Sequence, residues 1–122
     1  MRTDIRTKRV YEPATSHDGF RVLVDRVWPR GLTREQVQAD LWMKDVAPST
    51  ALRRWFGHDR SKWEAFKRQY FSELDTQPQA VARLLEEAAK GRLTLLFSAR
   101  DAAYNQAVAL REYLLSRAAC AG

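Results

Sequence analysis

The sequence predicts a layered α/β domain built on a small, mainly parallel sheet, and three observations lead to that fold class. Segments of strand character alternate with amphipathic helical segments along the chain. One strand segment, residues 92–97, is almost entirely apolar, which is typical of a strand buried on both faces of a parallel sheet. The length of 122 residues, with 45% hydrophobic and 30% charged residues, suits a single folded domain covering residues 1–122.

The first half of the chain predicts three strands and a short helix. Residues 5–11 and 20–27 have strand character, and a loop rich in turn-forming residues separates them. The second strand ends at Trp28-Pro29-Arg30-Gly31, because proline removes a backbone donor and glycine permits a sharp turn. The Thr33–Gln36 segment has the spacing of a capping box, so a helix begins there. Residues 41–46 predict a weaker third strand.

Four further helices are predicted in the second half, three of them before the apolar strand and one after it. Ser49 is placed to cap the first, Ser61–Glu64 is a second capping box, and Asn105 is placed to cap the last. Pro78 and Gly91 bracket the third, because proline is favoured in a first turn and glycine just past an end. The expected core positions of the four helices are Leu52, Trp55 and Phe56; Trp63, Phe66, Tyr70, Phe71 and Leu74; Val81, Leu84, Leu85 and Ala88; and Ala107, Leu110 and Leu114.

The positive charge is concentrated in the first part of the chain. Lys and Arg number 21 and Asp and Glu 15, a net charge of +6, and residues 1–68 hold the whole excess with 15 basic against 9 acidic residues. A basic region favours anionic partners such as phosphates, nucleotides or nucleic acid. A compositional bias toward Arg, which supplies 16 of the 21 basic residues, explains the same excess without any partner.

Several function classes lack the residues that they need. The one cysteine, Cys120, cannot form an internal disulfide, and with only two histidines we expect no metal site. The chain has no phosphate-binding glycine loop, dinucleotide fingerprint, serine-hydrolase elbow or zinc-protease motif, and it indicates no cofactor. No apolar run is long enough for a membrane span, and the basic start has no hydrophobic stretch behind it, so we expect a cytoplasmic protein with no membrane partner.

The end of the second predicted strand carries polar residues that a strand does not need. Ligands of parallel α/β sheets bind beyond the carboxyl ends of strands. Asp25 and Arg26 are costly to bury unless they pair with each other or with a ligand. Trp28 would form an aromatic wall, and Arg30 follows a rigid Trp-Pro pair that would hold its guanidinium for bidentate anion binding. The structural alternative is an Asp25–Arg26 ion pair, a core Trp28 and an Arg30 that caps a carbonyl.

The end of the apolar strand carries a second set. Ser98 offers a hydroxyl and Arg100 a cation, and the unpaired N–H groups at the start of the helix that Asn105 caps would attract an anion. The alternative is a plain helix cap beside a surface pair between Arg100 and Asp101.

Two weaker candidates lie between these strand ends. Lys44 is two positions from Trp42 on the weak third strand. Its side chain either faces the same site at the strand ends or is a solvated lysine at the edge of the sheet. Arg53 and His58 lie near the end of a helix, where His58 acts in catalysis or caps the helix as an imidazolium.

The strand-end string also resembles a family signature. Residues 19–31, with the pattern Asp-Arg-x-Trp-Pro-Arg-Gly, are similar to the signature of the YeaO-like proteins, a family of unknown function, and the similarity extends over about residues 5–115. The resemblance implies a small cytoplasmic bacterial protein, a single three-layer Rossmann-like domain with about five helices, and it implies no activity. Val27 stands where leucine is usual, and Tyr104 stands where relatives often have histidine, which weakens any acid–base role there. The positions that match the family motifs are Asp25, Arg26, Trp28, Pro29, Arg30, Gly31, Lys44, Arg53, Ser98, Arg100 and Asn105.

Together these observations predict a site that binds an anionic small molecule, such as a nucleotide or a phosphorylated metabolite, with or without turnover. Asp25 would be the general acid or base of any reaction. The ligand would be bound by Arg26, Trp28, Arg30, Gly31, Lys44, Arg53, Ser98, Arg100 and Asn105. The alternative is a module without a reaction that contacts nucleic acid or an acidic protein through Arg2, Lys8, Arg60, Lys62 and Lys67. A third alternative is a regulatory partner protein with an exposed apolar patch.

Overall fold

The computed structural model describes residues 3–121, and the side chains of residues 3–119, so Arg2 and the side chain of Cys120 lie outside it. Within that range the chain forms an α/β fold of four strands and five helices, which confirms the predicted class. The strands are β1 (Ile5–Arg9), β2 (Phe20–Leu23), β3 (Leu41–Trp42) and β4 (Leu93–Phe97). The helices are α1 (Arg34–Val37), α2 (Thr50–Phe56), α3 (Trp63–Leu74), α4 (Pro78–Lys90) and α5 (Gln106–Ala121).

The sheet is parallel throughout and has the strand order β1-β4-β2-β3. The apolar strand β4 lies inside it, paired with β1 on one side and with β2 on the other, and all five of its residues are buried. This confirms the prediction from its continuous apolar sequence, because an inner strand of a covered parallel sheet has no solvent face.

Helices cover the two faces of the sheet unequally. On one face, α2 to α5 pack over a large core that includes Val22 and Leu95 of the sheet and Phe66 of α3. On the other face, a small cluster joins Leu23 of β2 to Val37 of α1, with Trp28 packed against it. The connection from β2 to β3 therefore runs over one face and the connection from β3 to β4 over the other, so the chain changes direction between β2 and β4.

Most helix boundaries follow the predicted caps. The capping box of Thr33 and Gln36 is present, and the Ser49 hydroxyl accepts a hydrogen bond from the backbone N–H of Leu52. Helix α4 begins at Pro78 and stops before Gly91. Each of these capping signals involves residues within about one helical turn of the helix end. The helix boundaries can therefore be predicted without knowledge of contacts to distant parts of the chain.

Five predictions of local structure are wrong, and three of them concern residues 41–64. The capping box at Ser61 does not form, because the Ser61 hydroxyl donates to Asp59 (2.6 Å) and residues 60–62 make a 3₁₀ turn ahead of α3. The third strand has two residues in place of six, since residues 44–46 also form a 3₁₀ turn. Trp55, predicted to be in the core, is 40% exposed.

The β1 and β2 strands are shorter than predicted, ending at Arg9 and Leu23. No helix of the described residues is long and apolar enough to span a membrane.

Candidate functional site

A cleft of about 820 Å³ opens beyond the carboxyl ends of β1, β2 and β4. Both strand-end segments singled out in the sequence line it, residues 25–30 after β2 and residues 98–101 after β4. The cleft thus lies where the chain reverses direction between β2 and β4, the position at which sheets of this kind bind ligands. Its volume is within the usual range for small-molecule sites.

Asp25 joins the two strand ends at the base of the cleft. It is 6% exposed, and its Oδ2 accepts hydrogen bonds from the backbone N–H (2.9 Å) and the hydroxyl (2.5 Å) of Ser98. Its Oδ1 accepts a hydrogen bond from the side-chain amide of Gln106, the first residue of α5. Burial raises the pKa of the Asp25 carboxyl above its usual value, although the hydrogen bonds from Ser98 and Gln106 and the charge of Arg53 oppose that rise.

Asp25 and Arg26 do not pair with each other, contrary to one of the predicted alternatives. The Arg26 guanidinium instead donates to the backbone carbonyls of Ala47 (3.1 Å) and Pro48 (3.3 Å). A carbonyl holds a guanidinium in place without cancelling its charge. Arg26 therefore lines the cleft as a positioned cation, with part of its donor capacity unused.

Three other arginines of the cleft are exposed and have no hydrogen-bonded or ion-paired side chain among the residues that the structure describes. They are Arg30, Arg53 and Arg100. The predicted alternatives for two of them are wrong: the Arg30 guanidinium caps no carbonyl of residues 3–121, and Asp101 pairs with Arg60 (3.0 Å) and not with Arg100. Guanidinium groups with free donors beside a cleft are suited to bind phosphate or carboxylate oxygens.

Trp28 forms part of the cleft wall and is held rigidly. Its indole N–H donates to the carbonyl of Leu32 (2.7 Å), and its ring meets that of Trp42 edge to face at 5.3 Å between centroids. The half-buried ring leaves part of its surface to the cleft.

Asn105 lines the cleft but is occupied by the helix. Its Oδ1 accepts hydrogen bonds from the N–H groups of Ala107 (2.9 Å) and Val108 (3.1 Å), which confirms the predicted cap. Its amide donates to the carbonyl of Asp101 (2.7 Å). The cap thus takes up two of the N–H donors on which the expected anion site at the start of α5 depends, and the anion site itself stays a prediction.

Lys44 and Gly31 are not among the lining residues. The Lys44 ammonium lies 4.1 Å from the centroid of the Trp42 ring, at the outer edge of the sheet, so it does not face the cleft. Gly31 has a φ of 81°, and its contribution is to the backbone turn that follows Arg30.

Arg9 and Tyr11 belong to the cleft and were not predicted. The Arg9 guanidinium donates to the carbonyl of Ala99 (3.1 Å) and lies 4.6 Å from the centroid of the Tyr11 ring, while the Tyr11 hydroxyl donates to the carbonyl of Arg30 (3.0 Å). They reach the site because β1 pairs with β4, and the sequence gives no strand order from which that could be read. The other lining side chains outside the predicted binding set include Phe56, His58, Tyr104 and Gln106.

His58 lines the cleft with its backbone in the left-handed region, at a φ of 59°. The adjacent carboxylate, Asp59, accepts hydrogen bonds from Ser61 and does not orient the imidazole. The proposed catalytic role of His58, like that of Asp25, stays a prediction.

The residues predicted for nucleic-acid contact are mostly engaged within the protein. Lys8 pairs with Asp18 (3.1 Å), Lys67 pairs with Glu112 (3.2 Å), and Arg60 pairs with Asp101. The remaining members are Lys62, whose ammonium donates to the carbonyl of Trp55 (2.9 Å), and Arg2, which lies outside the described residues.

Comparison with known proteins places the chain among uncharacterised relatives. A family described as "Inactive DUF488-N3 subclade" matches residues 4–121. The uncharacterised protein YeaO of Escherichia coli (strain K12) is 42% identical over 113 residues, which cover 93% of this chain and 98% of that protein. The uncharacterised protein Rv3073c of Mycobacterium tuberculosis is 36% identical over 115 residues, covering 94% of this chain and 97% of that protein. No solved structure matches the sequence. With matches that extend over nearly its whole length, the chain belongs to the YeaO-like family, within the group described as the inactive DUF488-N3 subclade.

Proposed function

We propose that the cleft binds a phosphorylated small molecule of the nucleotide type and holds it without converting it. The observation that carries this proposal is the set of exposed guanidinium groups of Arg30, Arg53 and Arg100, which line one cleft without internal partners among the described residues. Positive charges that outnumber the carboxylates of a cleft repel one another, so an anion that neutralises them binds favourably.

The aromatic walls favour a ligand that also has a planar group. Trp28, Tyr11 and Tyr104 line the same cleft as the arginines. The Tyr104 ring is held by the Arg60 guanidinium, 4.6 Å from its centroid, and by a T-shaped contact with the Trp63 ring at 5.4 Å between centroids. Rigid aromatic rings lose little entropy when a base stacks on them, whereas a simple phosphate would make no use of them.

Two observations favour binding without turnover. Both carboxylate oxygens of Asp25 already accept hydrogen bonds from Ser98 and Gln106, so this group is engaged in holding the two strand ends together. The matching family is described as inactive. Asp25 acts in this proposal as a positioning residue of the cleft.

A thermal-shift series tests the proposal. Adenosine and guanosine nucleotides, sugar phosphates, the nucleosides without phosphate and a short single-stranded oligonucleotide are each added to the protein. A ligand at about 100 times its dissociation constant stabilises a folded protein by about 2.7 kcal/mol, which raises the melting temperature by roughly 10 °C in a domain of this size. We expect that rise with phosphorylated ligands and none with the bare nucleosides.

The matched variants are Arg53→Gln, which removes a cleft cation, and Arg54→Gln, which removes an exposed cation from the next position of the same helix. Loss of one charged hydrogen-bond donor should weaken binding by about 10- to 100-fold in the first variant only. Equal responses from both variants, or a response to the oligonucleotide alone, would contradict a small-molecule cleft.

A further inference from the structure

The geometry of the cleft points to a ligand with two adjacent anionic groups, such as a nucleoside diphosphate, which bridges two walls supplied by opposite layers of the fold. This inference rests on the proposed function and narrows its ligand class. It follows from where each cleft arginine is attached.

The first wall belongs to the layer that contains α1. Arg30 lies in the segment between β2 and α1, next to Trp28, which packs against the small core on that face. The wall is fixed to the end of β1 by the hydrogen bond from the Tyr11 hydroxyl to the Arg30 carbonyl. Arg9 lies at the end of β1, in register with Phe97 of the large core, and its guanidinium donates to the Ala99 carbonyl (3.1 Å) at the edge of the sheet.

The second wall belongs to the layer on the opposite face. Arg53 lies on α2, a helix that buries Leu52 and Phe56 in the large core. Arg26 reaches the same side, because its guanidinium is held by the carbonyls of Ala47 and Pro48, the residues that lead into α2. Each wall thus presents one exposed arginine without a hydrogen-bonded side-chain partner among the described residues, Arg30 on the first wall and Arg53 on the second.

The edge of the sheet separates the walls, with Asp25 and Ser98 at its base and Arg100 beside them. A ligand with a single phosphate can neutralise the cations of one wall and leaves those of the other wall repelling one another. Two linked phosphate groups place acceptor oxygens at both walls and carry more negative charge into a cleft whose arginines outnumber its carboxylates.

The acidic lining residues offset only part of this excess. Asp101 pairs with Arg60, which does not line the cleft, and Asp25 at the base, which feels the charge of Arg53, is the other carboxylate of the lining. The lining holds five arginines, so a net positive charge remains for the ligand.

The test measures dissociation constants by calorimetry for a nucleoside, its monophosphate and its diphosphate, with inorganic phosphate and pyrophosphate as probes without a base. We expect the diphosphate to bind at least about tenfold more tightly than the monophosphate, and pyrophosphate more tightly than phosphate. Arg30→Gln and Arg53→Gln should each weaken diphosphate binding by about 10- to 100-fold, whereas only one of the two should weaken monophosphate binding.

Arg34→Gln and Arg54→Gln are the matched controls, because both remove exposed arginines that lie four and one positions from the tested ones and do not line the cleft. All four variants should keep the far-ultraviolet circular dichroism of the parent. Equal affinity for monophosphate and diphosphate would overturn the bridging inference and leave the proposed function standing. Failure of every phosphorylated probe to bind would overturn both.

Discussion

Asp18 shows how much a single buried carboxylate can organise at the amino-terminal edge of the sheet. Its side chain accepts hydrogen bonds from Arg21 (2.5 Å), from Lys8 (3.1 Å) and from the backbone N–H of Thr15 (3.0 Å), and its carbonyl accepts one from the Thr94 hydroxyl (2.6 Å). It thus connects β1, β2 and β4. Burial alone would raise the pKa of Asp18, but the hydrogen bonds from Thr15, Lys8 and Arg21 outweigh burial and lower the pKa to about 2.

Asp18→Asn should lower the free energy of unfolding by roughly 3 kcal/mol at pH 7, because it leaves the buried Arg21 without its counter-charge. Because the pKa of Asp18 is lower in the folded protein than in the unfolded chain, its ionised carboxylate stabilises the fold fully above the unfolded pKa of 3.8. That stabilisation is lost as the pH falls toward the folded pKa of about 2. The difference between parent and variant should therefore shrink by about 1 kcal/mol at pH 3. Urea unfolding of both proteins at pH 7 and pH 3 measures it, and a difference that stays constant would contradict the assignment.

Substitution of two glycines, Gly19 and Gly31, distinguishes the cost of backbone strain from the cost of steric crowding. Gly19 and Gly31 both have positive φ angles, 67° and 81°, but a Cβ on Gly19 would lie 2.3 Å from the carbonyl oxygen of Arg92, whereas one on Gly31 would meet nothing within 4 Å. Gly31→Ala should cost about 1 kcal/mol of unfolding free energy and Gly19→Ala roughly 2–4 kcal/mol. Chemical denaturation of the two variants is the measurement, and equal losses would show that the contact with Arg92 is relieved without cost.

At this scale the exposed arginines of the cleft were predictable from the sequence, whereas the hydrogen bonds between the two strand ends were not. Arg30 and Arg100 stood out because each follows a strand that needs no charge. The bond from Ser98 to Asp25 spans 73 positions, so it depends on which strands are neighbours and leaves no local trace.

Helix α5 is the element through which the fold shapes the cleft. Asn105 caps it, and Gln106 in its first turn donates to Asp25. The start of the helix therefore sets the position of the carboxylate at the base of the site.

Asn105→Ala should destabilise the protein by about 1–2 kcal/mol through the lost cap. It should also weaken ligand binding, because a frayed first turn releases Gln106 from Asp25. Thr76→Ala is the control, since it removes a hydrogen bond to the Glu73 carbonyl just after α3, outside the cleft lining, and leaves the contact with Asp25 in place. Denaturation together with calorimetry separates the two effects, and equal losses of ligand affinity in both variants would contradict a specific role for α5.

Elements defined by local chemistry were predictable, and elements defined by pairing were not. The cap at Ser49 and the bracket of Pro78 and Gly91 work within a few residues, and they gave correct helices. Strand length depends on partners, so β3, an edge strand paired only with β2, was overestimated. The capping box predicted at Ser61 does not form, because the Ser61 hydroxyl donates to Asp59.

At the scale of the whole molecule, the strand order creates the site. Because β4 lies between β1 and β2, the ends of all three strands reach one edge of the sheet, and helices on opposite faces supply the two walls. The fold class could be predicted from the alternation of strands and helices. The strand order could not, because parallel strands joined by long crossovers can be arranged in several ways.

The most direct test of a shared cationic cleft is a titration of isotope-labelled protein with a nucleoside diphosphate, following the backbone amide signals. We expect the signals that move to come from residues 9–11, 25–31, 53–58 and 98–106, four segments that only this strand order brings together. Changes confined to one of these segments, or centred on α4, which contributes no residue to the cleft lining, would contradict a ligand held between the two layers.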